Sequence, residues 1–179
     1  MALPTLEYLR ECFDYEPETG VLTWRTRPQA HFEKEHESRR WNTRLAGKAA
    51  GSRNALGYLQ VEVCKAKYQY HRIVYAMHNA VELADMNFEV DHRDVDPTNN
   101  RGENLRSCTR SQNNTNQRKQ SNNKSGFKGV FRLKGRRYMA RIMSEGKMHY
   151  LGLFPTAELA SAAYTQAAER LHGEFARAG

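Results

Sequence analysis

Residues 112–126 contain no large apolar side chain, and this segment divides the chain into two parts. It is composed mainly of Asn, Gln, Ser, Lys and Arg. A segment of this composition cannot bury enough apolar surface to form a core. We therefore expect a folded region on each side, joined by a basic polar linker over residues 119–126.

The positive charge of the 179-residue chain is concentrated around the same segment. Residues 101–150 hold 13 basic and 2 acidic residues, whereas the remainder holds 15 basic and 18 acidic residues. Basic segments attract polyphosphate, because contacts with phosphates release condensed counterions. The charge predicts a nucleic-acid partner or, as the alternative, an ordinary solvated surface.

Several classes of protein are excluded by composition. Cys12, Cys64 and Cys108 form no Cys-x-x-Cys pair, so neither a disulfide framework nor a thiolate zinc site is expected. No apolar run is long enough to span a membrane, and the first residues do not resemble a secretory signal. We expect a cytoplasmic protein with no membrane partner.

The N-terminal part, residues 1–69, shows a mixed α+β pattern. The polar segment 25–46 is interpreted as a long exposed loop. The predicted elements are a helix over 5–13, a strand over 21–24, a strand over 58–63 paired with residues 68–71 in a hairpin, and a helix over 71–78 that follows this part.

The C-terminal part, residues 127–179, predicts three antiparallel strands packed on one helix. In the second strand, alternation places Ala140 and Ile142 toward the helix, together with Tyr138. In the first strand, Lys128 and Arg132 share a face with Val130, opposite Phe127 and Phe131. The predicted elements are strands over 127–133, 137–143 and 147–153, followed by a helix from Pro155-Thr156 to Gly173.

A group of polar residues between the two parts has the spacing of a chemical site. Asp91 and His92 end a predicted strand, and Thr109 and Gln112 have the spacing of a capping box that opens a helix. Asn113 would then lie in the first turns of that helix. Asp91 and Asn113 offer the hard oxygen ligands that Mg²⁺ prefers.

The residue types also suggest a division of roles. A histidine with an ordinary pKa can act as a general base toward water, which suits His92. The alternative is a surface Asp-His pair in a polar turn. The joint spacing favours a site, because Asn104 follows His92 by 12 residues and Asn113 by 21.

This segment resembles the HNH endonuclease motif, in the variant of phage and intron homing enzymes that has Asn at the third position. The resemblance implies a ββα-metal unit over residues 70–118. By position, Asp91 matches the metal-binding aspartate, His92 the general base, and Asn104 the asparagine that braces the loop. Asn113 matches the second metal ligand, with Asn114 as the alternative.

The resemblance implies a site-specific, homing-type DNA endonuclease that nicks double-stranded DNA. One divalent cation, Mg²⁺ or Mn²⁺, and a histidine base would hydrolyse the phosphodiester bond, leaving a 5′-phosphate and a 3′-hydroxyl. We expect a monomer, with a dimer as the alternative, acting in the bacterial host cytoplasm if a phage encodes it. The competing hypothesis is a DNA-binding transcriptional regulator with an inactive HNH-like unit.

Residues 122–173 resemble the DNA-binding domain of plant ethylene-response factors. The segments that carry this resemblance are Gly126–Val130, Tyr138–Ile142 and Tyr150–Phe154. It implies that a three-stranded sheet enters the major groove and that the helix packs behind it. Strand alternation independently places Arg137, Met139 and Arg141 on the face opposite the helix, which suits DNA. This chain has Phe131 and Tyr138 where the plant domains usually have Trp, so base specificity is not transferred.

Two further sets of residues complete the prediction. His71 is interpreted as a structural histidine at a helix start, with a second catalytic role as the alternative. The basic residues predicted to contact DNA are Arg93, Arg106, Arg118, Lys119, Lys124, Lys128, Arg132, Arg136, Arg137 and Arg141.

Overall fold

The computed structural model describes residues 3–55, 57–116 and 123–176. The chain divides into two compact units. We call residues 1–107 the N-terminal unit and residues 108–179 the C-terminal unit. Both combine helices with antiparallel sheets, so the predicted α+β class is confirmed.

The described residues of the N-terminal unit form three α-helices and three small sheets. Strands β1 and β2 pair with each other, β3, β4 and β5 form a second sheet, and β6 and β7 form a third. The elements are α1 (Leu6–Cys12), β1 (Phe13–Glu16), β2 (Val21–Trp24), α2 (Glu35–Leu45), β3 (Ser52–Arg53), β4 (Leu59–Val63), β5 (Ala66–Gln69), α3 (Tyr70–Asn79), β6 (Glu89–His92) and β7 (Leu105–Cys108).

One hydrophobic core joins these elements. Helices α1 and α3 contribute fully buried apolar side chains at helical spacing, among them Leu9 and Ile73. Phe13 and Leu22 add the inner face of the β1–β2 hairpin. Val90 and Leu105 bring β6 and β7 onto the same core. The strand that carries Asp91 and His92 is therefore anchored in the largest core of the unit.

The prediction of a long exposed loop over 25–46 is wrong, because α2 forms within it. The helix has few apolar residues, but Trp41 packs edge-on against Trp24, with ring centroids 4.9 Å apart. Arg27 is also buried, and its guanidinium lies 4.8 Å from the ring centroids of both Phe32 and Trp41. Cation–π contacts and one aromatic anchor thus fold a segment whose overall composition is polar.

The region around β6 and β7 follows the predicted order. The strand ending at His92 is followed by a short 3₁₀ turn over Gly102–Asn104, the return strand β7, and α4 (Arg110–Asn116). Thr109 and Gln112 form the predicted capping box, in which each backbone N–H donates to the other residue's side chain. Helix α4 belongs to the C-terminal unit.

The C-terminal unit has the predicted three-stranded antiparallel sheet and helix. Strand β9 lies in the centre, and Ala140 and Ile142 face α5 as predicted. Gly129 has a φ of +69°, and an added Cβ would lie 2.1 Å from the Tyr164 ring of α5, so only glycine fits there. The elements are β8 (Val130–Arg132), β9 (Tyr138–Ser144), β10 (Lys147–Phe154) and α5 (Ala157–His172).

The predicted bounds of the first strand of this sheet, residues 127–133, are too long. β8 covers only residues 130–132, because the preceding residues turn around Gly126 and Gly129. Val130 is buried against the helix and Phe131 is 39% exposed on the opposite side. Arg132 shares the parity of Val130, opposite Phe131, as the alternation predicts. Phe127, expected opposite Val130, packs instead against the same core cluster as Val130.

The described part of the expected linker is an ordered turn. The side chain of Asn123 accepts hydrogen bonds from the backbone N–H groups of Ser125 and Gly126. The hydroxyl of Ser125 lies 2.7 Å from the carbonyl oxygen of Val130. Residues 123–126 thus close the start of the C-terminal sheet, and Arg118 and Lys119 lie outside the described residues.

None of the helices formed by the described residues is long and apolar enough to cross a membrane.

Candidate functional site

Strand β6 is held by helix α3 from its N-terminal side. Arg72 on α3 donates hydrogen bonds to the backbone carbonyls of Met86 and Phe88, at 3.0 and 2.9 Å. These bonds satisfy the carbonyls of the segment that leads into β6. The segment before β6 is thereby held in place, and Asp91 and His92 lie at the end of the strand that it leads into.

Asp91 forms a buried ion pair with Arg106 on β7. The Nε and Nη2 atoms of Arg106 lie 3.1 and 3.0 Å from the same oxygen, Oδ2 of Asp91. The side chain of Asp91 is 8% exposed and that of Arg106 is 6% exposed. Burial weakens solvent screening of such a pair, and loss of either partner leaves the other charge without compensation. The predicted metal ligand is thus held by a residue that we predicted to contact DNA.

His92 is buried and hydrogen-bonded to Asn100. The Nε2 atom lies 3.2 Å from Oδ1 of Asn100, whose amide nitrogen donates to the carbonyl of Thr98 at 3.3 Å. The second bond orients the Asn100 amide so that its oxygen accepts from His92. This contact fits the tautomer of a neutral His92 ring in which Nε2 carries the proton.

His71, near the start of α3, packs edge-on against His92. Their ring centroids are 5.2 Å apart. The pKa of His71 is lowered to about 3, mainly by burial and to a smaller extent by the nearby His92 and Arg72. His71 is neutral at physiological pH. It limits the orientations of the His92 ring and supports the structural interpretation.

Asn104 closes the loop between β6 and β7. Its backbone carbonyl accepts from the N–H of Arg93, and its side-chain amide donates to Asp94 at 3.0 Å and to the carbonyl of Asn99 at 2.8 Å. Burial alone would raise the pKa of Asp94, but hydrogen bonds from the Asp96 backbone, Asn104 and Asn99 lower it. Asn104 thus fixes the shape of the loop that contains Asn100.

The loop also rests on the N-terminal hairpin. A Cβ at Gly20, which has a φ of +71°, would lie 2.1 Å from the backbone carbonyl carbon of Asn100. A Cβ at Gly102 would lie 2.2 Å from Nδ1 of His78. Two glycines therefore permit the close approach that places Asn100 beside His92.

The described residues contain no cluster of three or more His, Cys, Asp and Glu side chains that could hold a metal ion. A cage built entirely from such residues is thus not formed there. Mg²⁺ is commonly held by one or two carboxylates together with waters and substrate phosphates. The carboxylate of Asp91 and the side-chain amide of Asn113 fit that chemistry as hard oxygen donors. Asn113 lies on α4, and its N–H donates to the carbonyl of Thr109.

The residues predicted to contact DNA occupy different environments. Arg106 is buried, and Arg141 is partly buried on the C-terminal sheet. Lys128 is also partly buried. The exposed members of the set are Arg93, Lys124, Arg132, Arg136 and Arg137.

Comparison with known proteins finds a similarity in this part of the chain. Residues 68–115 match the HNH endonuclease family, a segment that contains His71, Asp91, His92, Asn104 and Asn113. The match ends before the C-terminal sheet.

The chain is also similar to a viral protein described as an uncharacterized HNH endonuclease, from Acanthamoeba polyphaga mimivirus. The two are 36% identical over 110 residues, which cover 62% of this chain and 56% of the viral protein. The chain thus spans about half the length of this relative. No solved structure matches the chain.

Sequence reasoning missed two contacts of this site. Asn100 was assigned no role, and Arg106 was assigned only to contact with DNA. The single signal available for Arg106 was its position on the return strand, where it can lie opposite the strand of Asp91. Nothing in the local pattern distinguished Asn100 from Asn99.

Proposed function

We propose that the chain is a metal-dependent DNA endonuclease of the HNH type. The proposal is carried by the family match over residues 68–115, which includes a histidine held by a buried hydrogen bond next to a buried carboxylate. The viral relative described as an HNH endonuclease supports the same class. The proposed substrate is double-stranded DNA.

His92 is the proposed general base. In this role the ring of His92 would accept a proton from an attacking water. Asn100 and His71 would act as positioning residues, since one fixes the tautomer of His92 and the other packs against its ring. Asn104 would act further out by holding the loop of Asn100.

Asp91 is the proposed ligand of one divalent cation, Mg²⁺ or Mn²⁺. The family match extends over Asn113, which remains the proposed second ligand, with Asn114 as the alternative. When bound, the cation would neutralise charge on the phosphate and the leaving oxygen. The expected products are a 5′-phosphate and a 3′-hydroxyl. One such centre would cut one strand at a time, as in a nicking enzyme of homing type.

The C-terminal unit is the proposed DNA anchor. It holds 13 basic and 4 acidic residues, whereas the N-terminal unit holds 15 basic and 16 acidic residues. Exposed basic side chains such as Arg136 and Arg137 lie beside its sheet. Binding should therefore weaken steeply as the salt concentration rises.

A single assay tests the activity. Supercoiled plasmid incubated with the full chain and Mg²⁺ should convert to open circle. His92→Ala should lower that rate by about 10² to 10⁴-fold while duplex binding is retained. His36→Ala is the matched control, because His36 is exposed on α2.

The second candidate is a DNA-binding regulator with an inactive HNH-like unit. The observation that favours it is the burial of Asp91 against Arg106, which occupies part of the carboxylate's capacity for ligands. Plasmid that stays supercoiled with Mg²⁺ and with Mn²⁺, together with tight duplex binding, would reject the nuclease and support the regulator. Equal loss of cleavage in both histidine variants would reject the role of His92.

A further inference from the structure

The C-terminal sheet has an apolar face directed away from α5. Strand pairing places Met143 beside Met148 and Leu153 beside Met139 on this face. Met143, Met148 and Leu153 are 51%, 56% and 46% exposed. The side chains on this outer sheet face are Phe131, Met139, Arg141, Met143, Met148, Tyr150 and Leu153.

A bulge in β10 keeps the face continuous. The register shifts between Tyr150 and Gly152, so Leu151 and Phe154 pack toward the helix while Tyr150 and Leu153 stay on the outer side. Tyr150 is 62% exposed. Exposed apolar patches of this kind commonly mark sites of contact with a partner.

One charged group lies within the face. The guanidinium of Arg141 lies 4.2 Å from the Phe131 ring centroid, and its Nη1 lies 3.4 Å from the sulfur of Met148. Arg141 therefore lies along the sheet among apolar side chains. A surface that combines apolar groups with one flat cation suits a partner that has both apolar groups and negative charge.

The charge around the face favours a polyanion over a second copy of the chain. Exposed basic side chains, Arg132, Arg137 and Lys147, lie at its strand ends. Three of the four acidic residues of the unit, Glu158, Glu169 and Glu174, lie on α5 or the turn after it. Two copies of the face would bring basic borders together, whereas duplex DNA supplies phosphates for them.

We propose that the outer sheet face contacts the methyl groups of thymine in the major groove. This inference rests on the proposed DNA binding and specifies which groups of the duplex the outer sheet face would contact. The C5-methyl of thymine is the apolar group that the major groove presents, and apolar side chains can contact it. That contact would come from Met143, Met148 and Leu153. Arg141 would contact a base edge or a phosphate.

The test removes the methyl groups and nothing else. Binding of the full chain is measured to a duplex of alternating dA and dT, and to the same duplex with deoxyuridine in place of thymidine. We expect at least about fourfold higher affinity for the thymine duplex, equivalent to the burial of one methyl group. The slope of affinity against salt should be the same for both duplexes.

Two variants assign the effect to the face. Met143→Gln with Met148→Gln should abolish the preference for thymine while leaving the salt slope unchanged. Leu159→Gln is the matched control, because Leu159 is 51% exposed on α5, and it should keep the preference. Thermal unfolding of all variants confirms that they are folded.

Each remaining outcome overturns a different claim. Equal affinity of the unchanged chain for both duplexes would overturn the methyl contact and leave DNA binding intact. No binding to either duplex would overturn the proposed DNA binding as well. A dimer that dissociates in the double Gln variant would assign the face to a second copy of the chain and overturn the inference.

Discussion

The two units differ in which side chains they bury and which they expose. The N-terminal unit buries charged and polar groups, among them Asp91, Arg106, His92 and Asn100, each held by a hydrogen bond to a neighbour. The C-terminal unit exposes apolar side chains on a sheet. Buried polar groups are costly unless their geometry is fixed, and that geometry is what acid–base chemistry needs. Exposed apolar groups contribute instead through contact with a partner.

The largest expected effect comes from breaking the buried ion pair of the N-terminal unit. Arg106→Met removes the guanidinium and leaves the Asp91 carboxylate buried without its partner. We expect a loss of about 3 to 5 kcal/mol in the free energy of unfolding. Urea unfolding of the full chain without divalent cation measures it.

A double variant separates the pair from the packing around it. Asp91→Asn combined with Arg106→Met removes both charges and should be markedly more stable than Arg106→Met alone. If Asp91 is a metal ligand, Mg²⁺ should raise the stability of Arg106→Met and not that of the double variant. Identical losses in the single and double variants would contradict the coupling of Asp91 and Arg106.

A matched pair of glycine substitutions should separate the functions of the two units. Gly20→Ala forces a methyl group into the backbone of Asn100, and Gly129→Ala forces one into the Tyr164 ring. Each should cost about 2 to 3 kcal/mol, because positive φ strain adds to the clash. Gly20→Ala should lower plasmid cleavage more than binding, whereas Gly129→Ala should lower binding.

The control for this pair is Gly135→Ala. Gly135 has a φ of +81°, but an added Cβ would meet no atom within 4 Å. Only the backbone strain remains, so the loss should be about 1 kcal/mol. Equal effects of Gly20→Ala on cleavage and binding would show that the contact with Asn100 does not support the site.

Features that depend on local sequence were predicted better than features that depend on tertiary contacts. The capping box at Thr109 and Gln112 depends on spacing alone, and it forms as predicted. Helix α2 was missed because its stability comes from Trp41 and from the neighbouring Arg27 rather than from an apolar stripe. The first C-terminal strand was predicted too long, and Phe127 was placed on the wrong side, because turns at Gly126 and Gly129 precede it.

The candidate site shows the same limit. The positions of Asp91 and His92 on a strand followed from the local pattern. The partners of these residues did not, because Arg106 and Asn100 reach them across a sheet and a loop whose shape depends on Asn104 and Gly20. Sequence spacing identifies candidate site residues within one segment, but it does not predict which hydrogen bonds these residues form.

The last contrast between the units is a difference in acid sensitivity between one histidine of each. The pKa of His71 is lowered to about 3 by burial, with smaller contributions from His92 and Arg72. In the unfolded chain His71 binds a proton near its ordinary pKa of about 6.5. Between about pH 3 and about pH 6.5 the unfolded chain therefore binds more protons than the folded chain. The contribution of His71 to the free energy of unfolding is therefore fully present above about pH 6.5 and is lost as the pH falls toward 3.

From about pH 7 to about pH 5 the loss at His71 should be about 2 kcal/mol, and His71→Gln should remove most of it. His172 in the C-terminal unit is the comparison, since burial also lowers its pKa, with Lys128 as a further cause. His172→Gln should change the pH dependence less, because His172 is less buried. Urea unfolding at both pH values measures each variant, and an unchanged slope in His71→Gln would show that His71 is not the group that resists protonation.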